Sequence, residues 1–166
     1  MGLRAWFQYV HDFPSAEAIR SSLYYPYYLT FHAVTMAMFA GLIIMMDLRL
    51  LGIAFRQTPL SQIQKRLFPW QMVMMVLSSI SGVVLFYGQP MRYYGKVFFW
   101  TKMVLMMLAG VNALVFHMTT YRSVDEWDTS SVTPQGARYA GLFSLALWAG
   151  VIVFGRITAY DWMTFK

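Results

Sequence analysis

Cysteine is absent from the chain, which excludes disulfides, iron–sulfur clusters and thiolate metal sites outright. Charge is scarce as well: 12% of the 166 residues are Asp, Glu, Lys or Arg, while 58% are apolar. Soluble domains carry about twice that share of charge. A chain so short of ionic side chains cannot cover a water-facing surface, so lipid is its expected solvent. Phosphate-binding glycine loops, dinucleotide fingerprints and zinc-spaced histidine pairs are also missing. Ser78, Ser79 and Ser81 with Gly82 have no acid–histidine pair beside them in the sequence. They read as a close helix contact rather than a hydrolytic site. The N-terminal MGLRAWFQYVHDFPSAEAIRSS lacks the apolar core and cleavage site of a signal peptide and reads as a helix in the membrane interface.

The charges that do occur are mainly basic, giving +6 and a pI near 9.7. They sit in short loops between apolar runs, which fits anionic lipid headgroups and topology control. No nucleic-acid module is present, and no nucleic-acid partner is expected.

Four apolar runs, at about residues 27–55, 67–89, 97–121 and 137–160, are long enough to cross a hydrocarbon core, which takes roughly 20 helical residues. RQTPLSQIQKR, QPMRYYGK and RSVDEWDTSSVTPQG separate them as loops. Tyr24, Tyr25, Tyr27, Tyr28, Trp70, Tyr93, Tyr94, Trp100 and Trp162 cluster near the ends, as an interfacial aromatic belt should. The expected fold is all-α: an integral membrane four-helix up-and-down bundle with an N-terminal interfacial amphipathic helix at about 3–22, all in one domain over 1–166. Both termini then lie on one side, A. Side B holds Arg56, Lys65, Arg66, Arg122 and Arg138, against Arg92 and Lys96 in the side A hairpin and Arg4, Arg20 and Lys166 in the terminal segments. The positive-inside rule therefore leans towards B as cytoplasmic.

The stretch FHAVTMAMFAGLIIMMDLRLLG, residues 31–52, begins with an imidazole and ends with an acid and a base. At 1.5 Å rise per residue His32 and Asp47 lie roughly 22 Å apart along one helix. Two polar clusters follow. His32, Lys102 and Arg156 gather towards A; Asp47, Arg49, Asn112 and His117 gather towards B. Ionisable groups at membrane depth usually face a partner, a cavity or a cofactor, although long bases near span ends also snorkel to the interface.

The histidines are candidate haem ligands, since neutral imidazole is a usual axial ligand and such ligands project into helix bundles. Met103, Met106, Gly110, Ala113 and His117 share one helix face, and the small residues leave room for a flat macrocycle. Plain helix packing or a hydrogen bond to a neighbouring carbonyl or Ser is the competing reading. His32 and His117 lie near opposite faces, so one haem cannot take both within one subunit. Two haems, a ligand from a neighbouring subunit, or ligation by one histidine alone would resolve this. Met103 is at about the level of His32, and Met45, Met46, Met72 or Met75 at about that of His117. Lys102 and Arg156 suit haem propionates by charge. Asp47, Arg49 and Asn112 with His117 form a cluster for quinone carbonyls or protons, against which stands an Asp47–Arg pair fixing helix register. The 14 methionines suggest Cu(I), but methionine is equally a flexible apolar filler.

An early-span histidine, Gly41 and DLRLLG at 47–52, with KMVLMMLAGVNALVFH at 102–117 and WAGVIVFGRITAY at 148–160, resemble an uncharacterised family of small four-helix bacterial integral membrane proteins. The likeness runs from about Ala18 over most of the chain. More distantly the chain is similar to the membrane component of copper-resistance systems and to small b-type cytochromes. The resemblance implies a multi-pass protein of the bacterial inner membrane, with both termini periplasmic if the charge bias holds. It marks His32, Asp47, Arg49, Lys102, Asn112, His117 and Arg156 as the positions that matter. The methionine-heavy helices depart from the family pattern. The leading expectation is a membrane electron-transfer subunit carrying haem b, with quinone as exchange partner. The alternatives are a non-catalytic anchor subunit of a larger membrane complex and a copper or proton conduit. Lipids, other membrane subunits or a second copy are the expected partners.

Overall fold

The computed structural model describes residues 2–130 and 132–160, which are helix, turn and loop apart from a single bridge residue at Lys96. Two short helices, α1 (Leu3–His11) and α2 (Pro14–Ser21), precede α3 (Tyr25–Leu50), α4 (Leu60–Gly88), α5 (Pro90–Tyr94) and α6 (Val97–Met118). A 3₁₀ turn at Thr120–Ser123 leads through α7 (Val124–Trp127) to α8 (Gln135–Ile157). Four helices are long and apolar enough to cross a membrane. Their exposed surfaces are largely Leu, Val, Ile, Phe and Met, which brings contact with lipid rather than water. Trp162 and Lys166, expected to mark and charge side A, lie outside the described residues.

The N-terminal stretch expected as one helix breaks in two, because Pro14 starts a new first turn after extended Phe13. Phe7 packs on Phe86 and Tyr94 at ring distances of 5.6 and 4.9 Å. Ser15 hydrogen-bonds Tyr87 at 2.6 Å. The pair of helices thus covers the side A end of α4 and α5.

α3 stops at Leu50, short of the expected Phe55. Gly52 takes a left-handed φ of 68°, and the N–H groups of Gly52 and Ile53 close on the carbonyls of Arg49 and Leu48 at 3.0 Å each. This is a Schellman stop, which glycine accepts without a Cβ clash. α4 instead starts seven residues before the expected position 67. Its polar first turns remain helical because Asp128, from the distant α7 end, accepts a bond from the Ser61 N–H at 2.9 Å and another from the Ser61 hydroxyl. That carboxylate satisfies donors a helix start otherwise leaves open.

Side-chain bonds set the helix neighbours. His32, near the start of α3, bonds Ser78 and Ser81 near the end of α4. Lys96, just before α6, donates to the Thr158 carbonyl after α8 at 3.0 Å. Asn112, late in α6, donates to the Ala140 carbonyl early in α8 at 2.9 Å. Each pair therefore runs antiparallel. α8 also presses on α3: a Cβ at Gly141 would lie 3.0 Å from the Leu50 Cβ and 3.2 Å from the Asp47 carbonyl, so glycine lets the two helices approach without displacing either. At side B, Met46, Leu50, Leu60, Ile63, Phe116, Val124, Trp127 and Ala137 form the buried core.

Candidate functional site

α3 packs on α4 and α8, and α6 packs on α8, but no packed seam joins α4 to α6. A cavity of about 760 Å³ fills the space among the four long helices. That volume lies within the ~300–1,000 Å³ of pockets that hold small molecules and cofactors. His32 and Lys102 line it towards A; Asp47, Asn112 and His117 line it towards B. Between them the wall is apolar and aromatic, with Phe39, Phe68, Trp100 and Trp148, and with Met36, Met46, Met72, Met75, Met103 and Met106. Each adjacent methionine pair sends one member inward, Met46, Met75 or Met106.

The gap between α4 and α6 is a window towards lipid, framed at both ends. At B the Gln64 amide nitrogen approaches His117 Nε2 at 3.3 Å. At A the Phe86 and Phe99 rings stack at 5.6 Å, 9° from parallel. Val83 and Gly110 line the cavity along this gap and are exposed.

His32 is half-buried and held from one side. Its Nδ1 lies 3.0 Å from both the Ser78 carbonyl and the Ser81 hydroxyl. A carbonyl only accepts, so Nδ1 carries the proton and Nε2 keeps its lone pair. Nε2 has no hydrogen-bond partner among the described residues. Gly82 makes this seat: a Cβ there would stand 3.1 Å from the His32 Cε1. The Ser–Gly patch, expected as a bare helix contact, is therefore also the histidine's anchor. The sequence offered a cue in the 3.6-residue spacing of Ser78, Ser81 and Gly82, but nothing there said which residue would meet them.

Lys102 runs along Gly155, whose added Cβ would meet its Cδ and Cε at 3.6 and 3.9 Å. It is near enough to His32 to act on it electrostatically. It has no hydrogen-bond or ion-pair partner among the described residues. Arg156, expected to join these two, does not line the cavity. It is exposed on the outer face, over the Tyr160 ring at 5.7 Å. One residue along a helix turns the side chain by about 100°, so Gly155 facing in sends Arg156 out. That is the position of a snorkelling anchor.

The side B cluster divides in the same way. Arg49 is only 2% exposed and turns from the cavity into the loops. It donates to the Thr58 carbonyl at 2.9 Å, the Thr133 hydroxyl at 3.3 Å and the Asp128 carbonyl at 3.4 Å. It ties the α3–α4 and α7–α8 connections together, and among the described residues it makes no ion pair with Asp47. Asp47 is 4% exposed. Ser144 lines the same cavity, and Asp47 Oδ2 has no partner among the described residues. Asn112 lines the cavity but donates to Ala140. Gln71, buried and absent from the sequence-based candidates, donates to the Leu42 carbonyl at 3.2 Å.

His117 is exposed at the window's edge. Nδ1 lies 2.8 Å from the Ala113 carbonyl one turn back, which leaves Nε2 to accept from Gln64. Both ring nitrogens are engaged. The two histidines meet α4 at Ser78 and at Gln64, fourteen residues and roughly 21 Å of helix apart, so a single macrocycle cannot take both. Of the methionines matched to His117 by depth, Met46, Met72 and Met75 line the cavity and Met45 does not; Met103, matched to His32, also lines it. Among the described residues no three His, Cys, Asp or Glu side chains gather as a metal site. Any metal bound through His32 would need a macrocycle or methionines to complete its coordination.

Comparison with protein families matches residues 17–162 to the family of unknown function DUF6644. The chain belongs to that family. The match covers the four long helices and the later part of α2, from residue 17, and leaves out α1. No curated protein and no solved structure matches the chain, so these comparisons give no support to the wider likeness to copper-resistance components and b-type cytochromes.

Proposed function

We propose that this DUF6644 protein is a membrane electron-transfer subunit, holding a haem b on His32 and exchanging electrons with the quinone pool. The observation that carries the reading is the His32 seat. A ring nitrogen is pinned by a main-chain carbonyl and a serine, and the opposite lone pair is left open on a side chain lining a large apolar cavity. An outer partner on one imidazole nitrogen fixes tautomer and orientation and raises the basicity of the other. The donor set also fits the group. Lys102 supplies an unpaired cation for a propionate, aromatic and methionine side chains supply the apolar walls, and Met103 is a sixth-ligand candidate. Bound haem would supply one-electron chemistry at the iron. The chain's own part is to orient the imidazole, offset the propionate charge and exclude water.

The helices would run up and down across a bacterial inner membrane, with α1 and α2 lying in the interface and side B in the cytoplasm. Other membrane subunits or a second copy would pass electrons onward, since the chain has almost no mass outside its helices.

The six cavity methionines favour a second reading, a Cu(I) path, because thioethers suit soft metal ions. Purification from native membranes, a pyridine haemochrome assay and metal analysis separate the two. Iron at about one haem per chain supports the first reading. Copper without haem supports the second. A colourless, metal-free protein removes both and leaves an anchor subunit.

A further inference from the structure

The side A end of the cavity leaves one donor and one acceptor unanswered. Lys102 and His32 both line it, and the ammonium is near enough to act on the ring electrostatically. His32 Nδ1 is taken by Ser78 and Ser81, so its open atom is Nε2. Lys102 has no hydrogen bond or ion pair among the described residues, whose one ion pair joins Arg20 to Glu17. Neither atom is walled off. Among the described residues the unpaired polar atoms that are fully occluded are Asp47 Oδ2 and Trp127 Nε1, so Lys102 Nζ and His32 Nε2 keep surface open to the cavity. The other bases at this end are engaged elsewhere: Lys96 donates to the Thr158 carbonyl, and Arg156 turns outward over Tyr160. Asp47, the acid on the same helix as His32, is roughly 22 Å away along the axis and cannot serve Lys102. An unpaired ammonium at this depth is destabilising unless something offsets its charge.

From this open pair we infer that the side A end of the cavity holds the carboxyl group of a free fatty acid, with the acyl chain running towards side B. One carboxyl group answers both atoms: an oxygen accepts from the Lys102 ammonium, and the acid O–H donates to Nε2. The wall beyond, with Phe39, Trp148, Met72 and Met75, suits a hydrocarbon tail. From His32 to His117 the cavity runs roughly 21 Å along α4. An acyl chain in a membrane covers half of a ~30 Å hydrocarbon core, so the tail fits inside. Entry is sideways through the window between α4 and α6, where the exposed Val83 and Gly110 line the cavity. A carboxylic acid crosses that apolar frame in its neutral form, whereas a phosphate diester or an inorganic anion would carry its charge through it. This selects a single-chain acid over a phospholipid. The inference does not need the electron-transfer reading. Haem on His32 would use the same Nε2, so the two are alternative occupants, and the lipid acid would limit haem loading. No covalent bond is made or broken in binding.

The test is equilibrium binding of tritiated palmitate and tritiated hexadecanol, which share a tail and differ in the head, to the full chain in detergent. The chain is purified from a host that makes no haem, so the site is open whichever way the haem question falls. Palmitate is expected to bind about tenfold more tightly than hexadecanol, the size of one charge-assisted hydrogen bond. Lys102→Met should bring palmitate down to the hexadecanol level and leave hexadecanol unchanged. Excess butyrate, a head without a tail, should not displace palmitate, and neither should dioleoylphosphatidylglycerol, an anion with two chains. A Cβ at Gly110 meets nothing within 4 Å, so Gly110→Phe has room to fill the window and should slow palmitate association; an unchanged rate overturns the sideways route. Equal affinity for palmitate and hexadecanol in the unaltered chain overturns the inference, and that comparison needs no variant to assemble. So does a Lys102→Met preference equal to that of the unaltered chain. Displacement by butyrate reduces the site to one for any small carboxylate, and displacement by phosphatidylglycerol to one for any anionic lipid; either overturns the fatty acid as occupant. A pyridine haemochrome assay on protein from native membranes answers the haem question separately. A colourless native protein whose chain prefers palmitate keeps this site and removes the haem, whereas a pigmented one indifferent to the carboxyl group does the reverse.

Discussion

His32 sits half-buried, with Nδ1 fixed by Ser78 and Ser81 and Nε2 open to the cavity, whereas His117 stands exposed with both ring nitrogens engaged. Both are imidazoles on strongly apolar helices, both line one cavity, and by sequence both are candidate ligands. What separates them is the neighbouring helix. α4 offers His32 a carbonyl, a hydroxyl and a glycine hollow, and that arrangement prepares a ligand. It offers His117 a glutamine amide, and that arrangement makes a latch across the window. Buried bases divide likewise: Lys102 keeps its charge unpaired at the cavity, while Arg49 uses its donors to tie loops.

The sharpest way to break this comparison is to remove each histidine in turn. His32→Ala is expected to lose nearly all haem, and His117→Ala to keep most of it, measured as pyridine haemochrome per protein. Equal losses would remove the distinction. Gly82→Val leaves His32 in place but puts carbon atoms where its ring lies, 3.1 Å from Cε1 at the Cβ alone. Haem affinity should fall roughly 10–100-fold, the usual range for disturbing a ligand's support, with helicity unchanged by circular dichroism. Arg49→Met should leave haem content alone and lower stability by about 2–3 kcal/mol, because one buried and two part-buried acceptors lose their donor. The check is the midpoint of thermal unfolding in detergent. Lys102→Met should lower the haem reduction potential by on the order of tens of millivolts, since a nearby cation favours the more electron-rich form, and a redox titration reads this directly. Smallest is Gln64→Leu, which opens the Gln64–His117 latch. It should change stability by less than about 1 kcal/mol and show itself as faster exchange of a cavity ligand.

Sequence patterning located the four long helices to within a few residues at most ends, because lipid demands long uninterrupted apolar runs. It failed at two boundaries for local reasons. The Schellman stop at Gly52 ends α3 while the chain is still apolar, and Asp128 extends α4 through a segment that reads as a polar loop. The interfacial segment was legible as helical, but its break was signalled only by Pro14. In the cavity, depth along a helix was readable and direction was not. Rise per residue correctly kept His32 and His117 apart. It also grouped Arg156 with Lys102 and Arg49 with Asp47, although the structure turns both arginines out of the cavity. Small-residue spacing suggested that Ser78, Ser81 and Gly82 meet another helix, yet their role in seating His32 depends on which helix packs there. Gln71 and Ser144 gave no signal, since an isolated polar residue in an apolar run carries no address for its partner.

One measurement bears most directly on His32 as the haem ligand: reduced-minus-oxidised visible spectra of the purified native protein and of His32→Gly, with and without added imidazole. The expected result is a sharp α-band in the native protein, its loss in His32→Gly, and its return when imidazole fills the vacated seat against Ser78 and Ser81. A native protein without a Soret band, or a His32→Gly spectrum identical to native, would contradict it.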